Sequence, residues 1–293
     1  MPTTAKARKL EVFLLHCREA DRELDYGDLF ARMSRTRPAT RQLEDGEKLL
    51  ALPSLRFNSA RRLVEFTAYE GPVGVNPLIF DAATGRERFE PLTGRQVMAT
   101  RTYGVIDLKS REAIIEYNQR GAKARDIAAL LEAMGRKVGF GSDFAVELNP
   151  TVDHSFLEAL ERFGRIKIAN MRVVRPNFDW TDNYEGLNQV GSESHGRAVE
   201  LIVTAHRNDS LSKRSGIIQY IRQMIGEHVS SLQGAKVVGV RQGETAETTV
   251  SLANHVVHQK IYVEVDTNGH VVSGDIQEKL REFQKARAEA RRG

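Results

Sequence analysis

Two adjacent stretches decide the fold: residues 102–118, TYGVIDLKSREAIIEYN, and residues 121–137, GAKARDIAALLEAMGRK. In the first stretch the apolar runs VIDL and AIIEY flank the polar residues 109–112, a pattern that predicts a β-hairpin. In the second stretch large apolar residues recur every three or four positions, which predicts an amphipathic helix that ends at Gly135. A hairpin followed directly by a helix indicates an α+β fold rather than a regular alternation of parallel strands and helices.

The same two periodicities continue outward along the chain. Apolar runs predict further strands at 10–16, 61–69, 143–150, 165–174 and, as a buried strand, 197–207. Helical spacing predicts further helices at 25–34, at 151–164 with Asp153 and Gly164 as caps, at 211–232, and at 275–292 with an exposed far end. We therefore predict an α+β fold with mostly antiparallel sheets, in two domains that span residues 1–100 and 101–293.

The composition excludes several classes of protein. The 293 residues are 41% hydrophobic and 28% charged, which is typical of a folded globular chain and not of a disordered one. A single cysteine, Cys17, excludes an internal disulfide framework and a multi-cysteine metal site. No apolar run reaches the roughly 18–20 residues of a membrane helix, and the first residues lack the apolar segment of a signal peptide. We therefore predict a cytoplasmic location without membrane insertion.

Local clusters of basic residues, rather than the formal net charge of +4, point to an anionic partner. The candidate contacts lie in three clusters and are Arg35, Arg37, Arg56, Arg61, Arg62, Lys213 and Arg214. Arginine dominates these clusters, and its planar guanidinium binds a phosphate through two parallel hydrogen bonds. Phe57 adds an aromatic ring beside Arg56 that could stack on a base. The alternative is that each cluster is only a solvated face of the protein.

The sequence carries no complete catalytic pattern. No glycine-rich phosphate loop occurs in the order that a nucleotide-binding motif requires, and the eight histidines are scattered. Asp107 and Lys109 have the acid-x-lysine spacing found in Mg²⁺-dependent nucleases, and Glu87 or Glu90 could supply a second acid. We predict no cofactor and keep a nuclease only as the last alternative.

A polar, turn-rich stretch at 178–196 contains Phe178, Trp180 and Tyr184. Trp180 is the only tryptophan of the chain. Its ring either anchors this loop to the domain or contacts a partner protein, since Trp and Tyr dominate the binding energy of many interfaces. The three aromatic residues are our candidate partner interface.

Residues 102–182 resemble a bacterial family that is similar in layout to the RexA phage-exclusion protein and to the KwaB anti-phage subunit. The resemblance rests on the hairpin 102–118, the helix ARDIAALLEAMG, the strand FAVELNP, and the strand RIKIANMRVV that leads into Arg175-Pro176-Asn177 and Asp179. A helix and a glycine-containing strand near 234–240 extend it to about half of the chain. The resemblance implies DNA association or sensing during phage infection, a homodimer and a partner subunit. It does not cover residues 1–100.

These observations predict a non-enzymatic, DNA-associating protein of an anti-phage or prophage-exclusion type. We expect it to bind double-stranded DNA mainly through the phosphates and without strong sequence specificity, because no recognition-helix pattern is present. One alternative is an interaction or regulatory subunit of a defence complex, which would use the Trp180 loop and exposed sheet edges. The other is a Mg²⁺-dependent nuclease that uses Asp107.

Overall fold

The structure, a computed structural model, describes residues 5–19, 24–93, 96–152, 155–174, 198–226 and 232–291. The fold is α+β with mostly antiparallel sheets, as the sequence predicts. The chain divides into two compact units: the first comprises Met1–Glu11, Cys17–Leu148 and Gln259–Gly293, and the second comprises Val12–His16 and Asn149–His258. Whether residues 1–100 and 101–293 form separate domains, as the sequence predicts, is a different question from this division into units, and the domain boundary stays a prediction.

The regular elements have the following bounds. The strands are β1 Ala5–Arg18, β2 Gln42–Asp45, β3 Lys48–Asn58, β4 Leu63–Pro72, β5 Leu78–Asp81, β6 Arg86–Phe89, β7 Thr100–Asp107, β8 Glu112–Tyr117, β9 Ala145–Pro150, β10 Phe163–Val174, β11 Ala198–Thr204, β12 Leu232–Arg241, β13 Glu247–Ser251 and β14 His258–Glu264. The helices are α1 Tyr26–Arg35, α2 Ala124–Lys137, α3 Ser155–Glu161, α4 Gly216–Gly226 and α5 Ser273–Ala290. Within the described residues, no helix combines the length and the apolar character that crossing a membrane requires.

The main sheet has the strand order β14-β1-β8-β7-β4-β3-β2, and β9 pairs with β1 beside this path. β7 and β8 form the hairpin that the sequence predicts, with Asp107 opposite Glu112. β4 runs antiparallel to both β3 and β7, and its residue Leu63 lies opposite Asn58 on one side and Asp107 on the other. Consequently the turn between β3 and β4 and the turn between β7 and β8 reach the same end of the sheet.

Helix α1 begins where the sequence predicts, because Asp25 caps it. The Asp25 carboxylate accepts a hydrogen bond of 2.7 Å from the N–H of Gly27, which satisfies one of the unpaired donors of the first turn. Leu29, Phe30 and Met33 form the buried stripe of the helix. Burying each of these side chains contributes roughly 1.5–3 kcal/mol relative to leaving it in water.

Helix α2 continues to Lys137, so the predicted end at Gly135 is wrong. A Cβ atom at Gly135 would lie 2.1 Å from Cε1 of Phe144. The glycine is therefore needed for the close approach of the Phe144 ring to the helix, and it does not terminate the helix.

Strands β5 and β6 form a separate two-stranded ribbon. Every residue of both strands is exposed, including Phe80 at 64% and Phe89 at 67%. Large aromatic side chains that are exposed together on one hairpin are unusual for a surface without a partner.

The second unit has an antiparallel sheet with the order β11-β10-β12-β13. Helices α3 and α4 pack on this sheet around a shared apolar core. The buried side chains of α4 are Ile217, Ile218, Ile221, Met224 and Ile225.

Two predictions for this unit are wrong. Phe163 and Gly164 begin β10, because α3 already ends at Glu161. β11 is an edge strand of half-buried and exposed residues, with Ile202 at 59% exposure, and is not a buried strand. The predicted cap Asp153 and the aromatic residues Phe178, Trp180 and Tyr184 lie outside the described residues.

Candidate nucleic-acid interface

Two hairpin turns join at one end of the main sheet and bring four cationic side chains together. The N–H of Leu108, after β7, donates a hydrogen bond of 2.9 Å to the carbonyl oxygen of Arg62, before β4. We call the basic residues of these two turns the turn cluster: Arg61, Arg62, Lys109 and Arg111. All four are exposed.

Short polar contacts give both turns their shape. The Asn58 side chain accepts a hydrogen bond of 3.0 Å from the N–H of Arg61, and the Asp107 side chain accepts one of 2.8 Å from the N–H of Lys109. Arg62 and Arg111 have φ values of 52° and 58°, in the left-handed region that favours glycine. Two long cationic side chains thus occupy positions where the backbone alone would favour glycine.

The charge of the turn cluster is only weakly offset by acidic groups. The guanidinium of Arg62 is 3.7 Å from the Asp25 carboxylate, a loose and exposed pair of the kind that contributes little. The Arg111 guanidinium lies 5.3 Å from the centre of the Tyr26 ring. In the part of the chain that the structure describes, neither Arg61, Lys109 nor Arg111 has a carboxylate within ion-pair distance.

Tyr26 and Cys17 form a buried support behind Arg111. The Tyr26 hydroxyl oxygen accepts a hydrogen bond of 3.0 Å from the N–H of Cys17. Burial raises the pKa of Tyr26 to about 12 and raises the pKa of the Cys17 thiol as well. Both groups are therefore neutral at physiological pH, and they leave the Arg111 charge uncompensated.

Helix α5 supplies hydrogen-bond partners to the two carboxylates that border the turn cluster, and of these it offsets the charge of Glu112. Arg287 donates hydrogen bonds of 3.1 and 2.6 Å to Oε1 of Glu112, and Arg291 donates one of 2.6 Å to the same oxygen. Gln284 donates a hydrogen bond of 2.8 Å to Asp107. The far end of this helix is exposed, as the sequence predicts, although its two arginines bind a carboxylate that is 2% exposed.

Arg56 lies on β3, in the strand that leads to the first turn. It is exposed and pairs in register with Glu65 on β4. The Glu65 carboxylate already accepts a hydrogen bond of 2.8 Å from Arg281 of α5. Phe57 follows Arg56 on the strand, so its side chain points to the opposite face of the sheet.

Arg35 and Arg37 lie away from the turn cluster. Asp25, beside Arg62, caps the start of α1, whereas Arg35 ends this ten-residue helix, about 15 Å further along. Both arginines are exposed. Further along the chain, the carbonyl oxygens of Thr40 and Gln42 accept hydrogen bonds of 3.2 and 2.8 Å from Lys137.

Arg41, from the same sequence cluster, has a structural role. Its buried guanidinium donates hydrogen bonds of 2.7 Å to the carbonyl oxygen of Ser34 and 2.5 Å to that of Thr36. These carbonyl groups lie at the end of α1 and lack helical partners, so Arg41 caps the helix. Burial lowers the pKa of Arg41.

Lys213 and Arg214 belong to the second unit. Lys213 donates a hydrogen bond of 2.8 Å to the carbonyl oxygen of Glu161. The pKa of the Glu161 carboxyl is lowered, first by its hydrogen bond from Arg222 and further by the charges of Lys213 and Arg214. This carboxylate therefore offsets part of the positive charge of the pair.

The structure gives the nuclease alternative little support. Asp107 is bound by the Lys109 N–H and by Gln284, and Glu87 and Glu90 belong to the separate ribbon region after β5. Among the residues with a described position, no group of three or more His, Cys, Asp or Glu side chains could hold a metal ion.

No protein-family model matches the chain, and no curated protein matches it in sequence. The resemblance to the RexA and KwaB type of protein therefore stays a prediction from the residues quoted above.

Proposed function

We propose that the first unit associates with double-stranded DNA through the turn cluster, with Arg56 as a flanking contact. The observation that carries this proposal is the hydrogen-bonded pair of turns. These turns expose four cations, of which only Arg62 has a carboxylate nearby, in its loose pair with Asp25, among the described residues. Guanidinium groups bind phosphate oxygens through paired hydrogen bonds, and three of the four cations are arginines.

Binding of this kind recognises phosphate and not base sequence. Each neutralised phosphate releases bound counterions, so affinity falls as salt rises, with a slope of about −0.9 per contact on a log–log plot. Four contacts correspond to a slope of roughly −3 to −4. The family resemblance adds the setting: a homodimer that associates with DNA or senses it during phage infection, beside a partner subunit.

The sharpest test uses Arg62→Gly and Arg111→Gly together. Glycine relieves the left-handed backbone at both positions, which offsets the lost ring contact of Arg111, so we expect stability to change by less than about 1 kcal/mol. Fluorescence anisotropy with two unrelated duplexes should show a tenfold or greater loss of affinity for both, with a salt slope smaller by about 2.

The matched control is Arg207→Gln with Lys236→Gln, which removes two exposed cations from the second unit. The control should bind both duplexes as the unaltered protein does. If the glycine variant keeps full affinity, or loses it for only one of the two sequences, the proposal is wrong.

A second candidate function, contact with a partner protein, is favoured by the β5–β6 ribbon. Phe80 and Phe89 are exposed there, while cations alternate with carboxylates, so the ribbon lacks the net positive charge that DNA would require. The homodimer implied by the resemblance makes a second copy of the chain the expected occupant. Light scattering should then show a dimer that Phe80→Ser with Phe89→Ser converts to a monomer; a monomer before the change would exclude this contact.

A further inference from the structure

A second cationic site lies at the other end of the β7–β8 hairpin. There the first unit forms a cleft of about 630 Å³ whose lining includes Lys6 and Arg8 of β1, Arg101 of β7, and Arg120 in the segment after β8. β7 spans eight residues, so its two ends, one at this cleft and one at the turn cluster, are about 24 Å apart. The proposed DNA contacts, which are the turn cluster and Arg56, do not include these residues.

The cleft has a marked excess of positive charge. Its one carboxylate is Glu116, whose Oε1 is 3.2 Å from Nε of Arg8. Lys6, Arg101 and Arg120 have no carboxylate within ion-pair distance among the residues that the structure describes. Three cations facing one concave space repel one another, and a compact anion between them would relieve that repulsion.

The two unpaired arginines of the cleft are held in place through their backbones. The Asn118 side chain donates a hydrogen bond of 2.9 Å to the carbonyl oxygen of Arg101, and it accepts one of 3.3 Å from the N–H of Arg120. Tyr103 also lines the cleft, and its hydroxyl is 2.9 Å from Oγ of Ser273, at the start of α5. One asparagine thus connects the backbones of both arginines, so the two side chains start from neighbouring points at the edge of the cleft.

We propose that this cleft binds a short oligophosphate group, of the kind that nucleoside di- and triphosphates carry. A single phosphate would meet only part of the charge, whereas a chain of two or three phosphates has enough oxygens to reach cations that come from three segments of the protein. The volume is in the range of small-molecule sites. The cleft would therefore be a ligand site in addition to the DNA surface.

The test is calorimetric titration with sodium tripolyphosphate, ATP and AMP in a buffer without divalent cations. We expect saturable binding of tripolyphosphate and ATP and at least tenfold weaker binding of AMP. Tighter binding of ATP than of tripolyphosphate would identify a nucleotide as the ligand, and equal binding would identify the phosphate chain alone; both results support the site. Absence of saturable tripolyphosphate binding would overturn it.

Variants assign the binding to the cleft. Arg101→Gln with Arg120→Gln should weaken tripolyphosphate binding tenfold or more, because both side chains are removed without disturbing their backbone contacts to Asn118. Glu116→Gln should tighten it several-fold, since a like charge leaves the site. Arg207→Gln, in the second unit, is the matched control and should change nothing. Equal affinity in the double variant and the control would show that the anion binds elsewhere.

This proposal and the DNA proposal fail separately. The Arg101→Gln/Arg120→Gln variant should keep its affinity for duplex DNA, and the Arg62→Gly/Arg111→Gly variant should keep its affinity for tripolyphosphate. Loss of DNA binding in the first variant would mean that the cleft is part of the DNA path and not a separate site.

Discussion

The two ends of the β7–β8 hairpin are both cationic, but they present their charge differently. At the turn cluster the cations project from exposed turns, and the carboxylates beside them are paired with α5. At the cleft the cations converge on a concave space that contains one buried carboxylate, Glu116. Convex charge suits a long polyanion, whereas converging charge suits a compact one. The shape around the cations, more than their number, therefore separates the two proposed ligands.

The largest effect is expected from breaking the support of the turn cluster. Arg287→Ala leaves the buried carboxylate of Glu112 with only the half-exposed Arg291 as its partner. An inadequately paired buried charge costs about 3 kcal/mol in the free energy of unfolding. Urea denaturation should show this loss, whereas Lys285→Ala, on the exposed side of the same helix, should change stability by less than about 0.5 kcal/mol.

A double variant checks the cause of that loss. Glu112→Gln combined with Arg287→Gln removes both charges and should recover more than half of the stability lost in Arg287→Ala. If the double variant is as unstable as Arg287→Ala, the loss comes from packing of the helix and not from the unpaired carboxylate.

The next largest effect is a change of about tenfold, or 1.4 kcal/mol, in the affinity for one of the two proposed ligands when the cations at one end of the hairpin are replaced. The ratio of duplex affinity to tripolyphosphate affinity should fall about tenfold in Arg62→Gly/Arg111→Gly and rise about tenfold in Arg101→Gln/Arg120→Gln. Anisotropy and calorimetry on the same preparations give both numbers. A ratio that stays constant in both variants would mean that one surface binds both ligands.

The smallest effect concerns Glu116. Burial raises the pKa of its carboxyl above the ordinary value, although Arg8 and the Tyr103 N–H act in the opposite direction. The folded protein therefore binds more protons than the unfolded chain just above pH 4, and stability falls as the pH rises toward the folded pKa. Glu116→Gln should match the unaltered protein near pH 4 and be more stable at pH 7, by about 1 kcal/mol or less. Thermal melts across this range measure the difference, and a stabilising effect that is equal at both pH values would contradict it.

Elements with strong local patterns could be predicted from the sequence. The hairpin around residues 109–112, helix α1 and the strand β10 all follow from periodicity and turn residues. Prediction from local sequence fails at Gly135. A glycine at this position of the pattern predicts the end of a helix, but the role of the residue is set by its close contact with the Phe144 ring. The solvent exposure of β11 depends in the same way on which strands and helices surround it, and periodicity carries no such information.

The candidate site could be predicted only in part. Arg61 and Arg62 stand out as a basic pair, but Lys109 and Arg111 join them only because β4 pairs with β7 in one particular register. Arg37 and Arg41 are four residues apart in one basic cluster, and yet Arg41 is buried as a helix cap while Arg37 is exposed. Cationic composition indicates an anionic partner, but long-range pairing decides which cations share a surface.

The placement of α5 has a consequence for biosynthesis. The ribosome releases this helix after every other described element, and until it docks, Glu65, Asp107 and Glu112 present an acidic face of the main sheet. A nascent chain that has folded as far as β14 would therefore still repel polyanions near the turn cluster. The DNA surface proposed above would therefore form only after synthesis of α5, and a chain that ends before Ser273 should not bind DNA.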